Sequence, residues 1–240
     1  MDISDDYIYQ FKYVPWSMIA TCAIQIVMFT VYAIRSDETI EWDPTVVVGP
    51  DRCVARIYDG DEDVRWRFYP MVCYQAVHAG IGHVVNNVIG LALFGSVIEA
   101  VHGTWRTCLI YNSSVILGAA VFLGSNPSKG LVGSSGGVYG MLFCQTANLY
   151  YNWKNMMGSL KAIRIVAMLM FLSSDMYLYL HGQEQIAYLC HIAGGCTGSL
   201  LGLTLLKNIT EEPFEKYMRY IGTTIFAISS SLAVGFWLSA

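Results

Sequence analysis

Seven stretches of mostly apolar residues, each near the ~20 residues that cross a hydrocarbon core, divide this 240-residue chain and leave few folds open to it. They lie at roughly 14–34, 80–100, 105–124, 133–152, 164–180, 186–206 and 221–239. In lipid every backbone N–H and C=O must be bonded internally, so segments of this kind become helices packed side by side. Composition agrees. Hydrophobic residues make up 55% of the chain and charged ones 13%, against about 25% charged in soluble domains, and the mean hydropathy is +0.44. The expectation is an all-α integral membrane protein with one large polar loop, 35–79, between the first two spans.

The acidic start "MDISDDYIYQ" lacks the basic region of a signal peptide, and no small-residue cleavage site follows the first apolar run. That run is therefore read as a retained helix. With residues 1–13 in the cytosol, Lys12, Arg106, Lys154, Lys161, Arg164, Lys207, Lys216 and Arg219 fall at cytosolic ends, and the short outer loops hold only Lys129. A net charge of −4 with no basic patch excludes nucleic acid as a partner. The seven cysteines form no CxxC pair, so no metal site and no cofactor is expected. Whether Cys53 and Cys73 of the outer loop pair stays open.

The informative residues are those an apolar span should not contain. His83 and Asn87 are four apart on the outer half of the second span, on one helical face. Ser135 stands near the outer end of the fourth, inside "LVGSSGGVYG", with Tyr139 four residues on. His191 stands near the outer end of the sixth. Structural polar residues scattered for packing have no reason to share one depth. Gly136 and Gly140, with Gly194, Gly198 and Gly202, form the small-xxx-small patterns that let helix backbones approach closely. If the fourth and sixth spans meet there, Ser135 and His191 come within reach of each other, as an activated serine nucleophile requires. The plainer alternatives are a glycine-rich packing helix, a structural membrane histidine and asparagines that bind helices together.

Taken together, "WR" (Trp66, Arg67), "HAGIGHVVNN" (His78 to Asn87), "GSSG" (Gly133 to Gly136) with Tyr139, and "HIAGGCTG" (His191 to Gly198) resemble the rhomboid intramembrane serine proteases. "IEAVHGTWR" and the seventh span resemble the animal secretory-pathway branch. The resemblance implies a six-helix catalytic core over 14–206, then a cytosolic linker and a seventh C-terminal helix over 207–240. It implies Ser135 as nucleophile and His191 as general base. His83 and Asn87 would stabilise the oxyanion together with the Ser135 N–H. Gly133 would let the backbone approach the substrate carbonyl, and Tyr139 would orient the base. Trp66, Arg67, Gly136, Gly194 and Gly198 would be structural. The implied partners are the lipid bilayer and single-pass transmembrane substrates, including EGF-type growth-factor precursors, cut near the luminal face in the Golgi, endosome or plasma membrane.

Three features depart from that pattern. Cys190 replaces the usual alanine before the histidine, the Trp66-to-His78 stretch is long, and Asp175 sits in the fifth span. The expectation is a serine–histidine dyad, which needs no third member; an orienting role of Asp175 toward His191 is the alternative. Two other function classes remain. A catalytically silent rhomboid-like protein that binds membrane clients for trafficking or quality control typically lacks the serine or the histidine. A transporter favours repeated halves and midplane helix breaks, and no such repeat is visible.

Overall fold

The computed structural model describes residues 11–42, 46–181, 187–206, 208 and 213–240. Lys207, counted above among the cytosolic cations, lies outside them. Among the described residues seven helical segments have membrane-spanning length. The first is α1 (Trp16–Arg35). The outer loop follows, with β1 (Val47–Val48), the hairpin β2 (Tyr58–Asp59) and β3 (Glu62–Asp63), the short α2 (Pro70–Cys73) and β4 (His78–Ala79). The second span runs from Gly80 to His102 as α3 (Gly80–Gly90), a wider π-helical turn at Leu91–Gly95, and α4 (Ser96–His102). The remaining spans are α5 (Thr104–Ser125), α6 (Ser135–Asn152), α7 (Gly158–Leu180), α8 (Tyr188–Leu205) and α9 (Pro213–Ser239). Each overlaps an expected span. The fifth and seventh begin earlier than their apolar cores, because an interfacial turn adds polar residues without breaking the helix.

Five of these spans are apolar enough to qualify by composition alone, whereas α6 does not. The reason for α6 is its position. Fourteen of its 18 residues are buried, so Gln145, Asn148 and Asn152 face neighbouring helices instead of lipid. Gln145 Nε2 donates to the Phe94 carbonyl of the π turn at 2.9 Å, which supplies a partner where the regular ladder is interrupted. α6 meets α8 through glycine. A methyl at Gly194 would strike the Gly136 carbonyl, and one at Gly198 would lie 2.6 Å from Gly140 Cα. The close approach expected of the small-residue pattern is therefore realised.

The start of α1 is fixed from far along the chain. Glu99, fully buried in α4, accepts the Ser17 and Met18 amides at 3.0 and 2.9 Å and the Thr104 hydroxyl at 2.7 Å. A carboxylate on the first free amides of a helix satisfies groups that have no intrahelical acceptor and complements the helix dipole.

The outer loop is ordered by three ties. β1 pairs antiparallel with β4, with Val47 opposite Ala79 and Val48 opposite His78. Cys53 and Cys73 form a disulfide with Cα atoms 5.2 Å apart. Arg65, gripped by Asp63 at 2.6 Å, donates to the Trp237 and Leu238 carbonyls at the end of α9, at 3.2 and 2.7 Å.

His78 is buried with 0% exposure, and neither ring nitrogen has a hydrogen-bond partner among the described residues. Burial first, and the neighbouring His83 second, lower its pKa from 6.5 to about 3. Between those values the unfolded chain binds a proton here that the folded chain does not. The stabilisation is complete above pH 6.5 and is lost as pH falls through that window to about 3. The melting temperature in detergent is expected to fall between about pH 6.5 and pH 4. His78→Gln is expected to flatten that slope by up to one proton, and an unchanged slope would show that His78 does not titrate in this way.

Candidate active site

The site is built where the long loop between the first two spans meets the N-terminal ends of α3, α6 and α8. Leu131 bridges Ala55, with both backbone amides donating across at 2.8 and 3.0 Å, and the Gly133 amide donates to the Tyr74 carbonyl at 3.1 Å. These bonds hold the segment before α6 against the loop. Gly133 has φ +96°, a conformation that favours glycine. It is also the point at which the His83 imidazole arrives: a methyl at Gly133 would strike that ring and would lie 3.5 Å from Asn87 Nδ2. Glycine is thus required twice, for its backbone angle and for the room it leaves. The second requirement was not part of the sequence expectation.

His83 and Asn87 share one face of α3, as their spacing predicts. Asn87 is buried and Asn86 exposed. The Ala79 amide donates to His83 Nδ1 at 3.3 Å. An imidazole that accepts at Nδ1 carries its proton on Nε2 when neutral, and Nε2 is the atom beside Gly133. Asn87 Nδ2 spends one hydrogen on the His83 carbonyl at 3.0 Å and keeps the other. Ser135 opens α6, so its amide has no carbonyl one turn earlier to bond. Three N–H groups therefore converge around Gly133 and the first residue of α6. Such a cluster is suited to an oxygen that gains negative charge.

His191 is 8% exposed on α8. The Tyr139 ring stacks on it, with centroids 4.3 Å apart and planes 7° apart, and Tyr188 meets its edge at 6.1 Å. Tyr139 was expected against this ring; Tyr188 was not, although it lies three residues before His191, on the same helical face. A methyl at Gly136 would lie 2.8 Å from Cys190 Sγ, so the residues adjoining Ser135 and His191 pack on each other. Among the described residues no hydrogen bond joins Ser135 to His191. The imidazole bonds instead through Nδ1 to Asp175 Oδ2 at 3.2 Å. Catalytic hydrogen bonds are commonly loose until a substrate is bound.

Ser134, the other serine of the motif, is fully buried and donates to Gln25 Oε1 of α1 at 3.1 Å. Trp66 and Arg67 stay with the β2–β3 hairpin. The Arg67 guanidinium lies 4.9 Å from the Trp66 ring centre and 3.6 Å from both Asp59 and Glu62.

The model of the rhomboid domain matches residues 65–208, more than half of the chain. The chain belongs to the rhomboid family. The match spans the glycine crossing, the N-terminal ends of α3, α6 and α8, and α7 between them; α1 and α9 lie outside it. Among proteins similar to this rhomboid, Rhomboid-related protein 1 of Caenorhabditis elegans is 35% identical over 162 residues, covering 65% of this chain and 44% of that protein. Rhomboid-related protein 2 of Mus musculus is 29% identical over 176 residues, 68% of this chain and 57% of that protein. Inactive rhomboid-related protein 2 of Caenorhabditis elegans is 21% identical over 206 residues, 83% and 57% respectively. The chain spans about half the length of the curated relatives it matches.

Proposed function

We propose that this rhomboid is an intramembrane serine endopeptidase that cuts transmembrane segments of single-pass proteins near their outer, luminal ends. The observation that carries the reading is the convergence of the His83, Asn87 and Ser135 N–H groups at the mouth of α6, with His191 on the adjoining helix. Relatives include proteins named inactive, and a client-binding role without cleavage is the competing reading. Such a role gives no reason for N–H donors to converge beside Ser135, nor for the base to be clamped by two aromatic rings.

In the proposed reaction Ser135 Oγ attacks the scissile carbonyl carbon while His191 Nε2 takes the hydroxyl proton. The carbonyl oxygen becomes an oxyanion held by the three donors. Collapse expels the amine, which takes the proton from His191 and leaves an acyl-Ser135 ester. Water, deprotonated by the same imidazole, then hydrolyses the ester and restores the serine. The substrate helix must unwind locally to present its backbone, so helix-weakening Gly, Ser or Pro near the cut is expected. The Cys53–Cys73 disulfide supports a luminal or extracellular position for the loop beside the site, since disulfides persist in oxidising compartments. EGF-type growth-factor precursors are the proposed substrates in that setting, and the secretory pathway the proposed location.

The test is cleavage of a reconstituted single-pass segment by the purified protein in liposomes. Wild type is expected to cut it, and Asn87→Ala is expected to lower turnover by about 10²-fold, the loss typical of one oxyanion donor. Asn86→Ala, changed on the exposed face, is expected to leave turnover within about 2-fold of wild type. Intact turnover in Asn87→Ala, or a larger loss in Asn86→Ala, would refute this oxyanion assignment. No cleavage of any single-pass segment by wild type would favour the client-binding reading.

A further inference from the structure

Asp175 is a carboxylate within α7, a span that otherwise faces lipid along much of its length. Carboxylates at such positions are costly and normally have a partner that repays the placement. Among the described residues no Lys or Arg pairs with it; its hydrogen-bond partner is His191, Nδ1 to Oδ2, 3.2 Å. The two side chains are 21% and 10% exposed, so the contact is largely shielded from water. The Tyr139 ring from α6 and Tyr188 from α8 lie beside the same carboxylate. His83 of α3 lies close enough to the imidazole to interact with it electrostatically. Asp175 therefore sits at the back of the base, where α6, α7 and α8 meet.

An ionised carboxylate only accepts hydrogen bonds, so a neutral imidazole that bonds to it must carry its proton on Nδ1. That leaves Nε2 as the acceptor atom. A neutral histidine without this partner divides between two tautomers, one of which cannot take a proton at Nε2.

We propose that Asp175 is a positioning residue for the base: it holds His191 in the Nδ1–H tautomer and in a fixed ring orientation, so that this rhomboid operates a Ser135–His191–Asp175 relay instead of a two-residue dyad. The inference rests on His191 being the base of the proposed protease. The proton of Ser135 Oγ passes to Nε2, the Nδ1 proton stays where it is, and Asp175 remains ionised and faces the imidazolium so formed. The leaving amine then takes the Nε2 proton. Asp175 touches neither substrate nor reacting atoms and acts only through the ring.

The experiment compares wild type with Asp175→Leu, Asp175→Asn and Asp175→Glu in liposomes, using a single-pass substrate and, separately, a fluorophosphonate that reacts with Ser135 without needing to enter as a helix. Asp175→Leu and Asp175→Asn are expected to lower kcat about 10-fold to 100-fold, the range for a hydrogen bond to a charged group, and to leave KM unchanged. They are expected to slow fluorophosphonate labelling by the same factor, with Asp175→Glu recovering most of both rates. In the wild type, ¹⁵N spectra of His191 are expected to show Nδ1 protonated and Nε2 bare. A role confined to packing α7 would raise KM or lower the melting temperature while labelling stayed at the wild-type rate, and that result overturns the proposal. So does a wild-type His191 protonated at Nε2, a reading that requires no variant to fold. An active wild type with insensitive Asp175 variants removes only the relay; a wild type that neither cleaves nor labels removes the protease reading with it.

Discussion

Ser135→Ala is expected to lower cleavage below detection, a loss on the order of 10⁶-fold by comparison with removal of the serine from a soluble serine protease. Ser134→Ala is expected to keep substantial activity. The two hydroxyls are neighbours in sequence but occupy different environments. Ser134 is sealed between α1 and α6 with its proton committed to Gln25, while Ser135 is half-buried at the first turn of α6. Loss of the Ser134 bond leaves Gln25 short of a donor and costs about 1–3 kcal/mol of stability. The expected signature is therefore a crossed one. Ser135→Ala melts like wild type and does not cut, and Ser134→Ala melts lower and cuts. Paired melting and turnover measurements decide it. Equal loss of turnover in both variants, or residual cleavage in Ser135→Ala, would be fatal to Ser135 as the nucleophile.

The second large effect is expected from a methyl group. Gly198→Ala places a Cβ against the Gly140 backbone, 2.6 Å from both its Cα and its carbonyl carbon, and backbone cannot rotate out of the way as a side chain can. α6 and α8 must separate. Overpacking of this kind typically costs about 1–3 kcal/mol, which a seven-helix bundle survives. The displacement falls on the helices that carry Ser135 and His191, and a misplacement of about 1 Å in a reacting pair costs about 10²-fold in rate. Gly198→Ala is thus expected to retain its helix content by circular dichroism and lose about 10²-fold or more in turnover. Gly235→Ala, where an added methyl meets nothing within 4 Å, is the control and is expected to be neutral or slightly stabilising. Turnover in Gly198→Ala equal to the control would mean that the crossing does not set the site's geometry.

The helices were legible because a span of lipid imposes a length, and an apolar run of that length is visible without any partner. Their ends were less so: the extra turns of α7 and α9 are polar and interfacial and carry no periodic signal. The strands of the outer loop are two residues long, too short for alternation to register, and the β1–β4 pairing joins residues about 30 positions apart. The π turn reads as ordinary helix, since "LALFG" fits a helical pattern as well as any apolar run. At the site, i and i+4 spacing placed His83 with Asn87 and turned Asn86 away, because both relations stay within one helix. The contact of Asp175 with His191 was visible only as one option. It joins two separate helices, α7 and α8, and no spacing rule counts across a loop. The Ala79 amide that orients the His83 ring was invisible for a different reason, being backbone and the same in any residue but proline.

The carboxylate of Glu99 that holds the start of α1 has a consequence for how the molecule is made. The amides it accepts are 82 and 81 residues earlier in the chain. At the usual pace of synthesis, that separation amounts to a delay on the order of 10 s between the two leaving the ribosome. During the delay α1 is already formed and already in contact with the insertion machinery or the bilayer, with its leading amides unanswered. It can dock only after the second span has crossed back and brought Glu99 alongside. α1 is made before the span that bears Glu99 yet is seated by it, so translation order and assembly order run in opposite directions at this corner of the bundle.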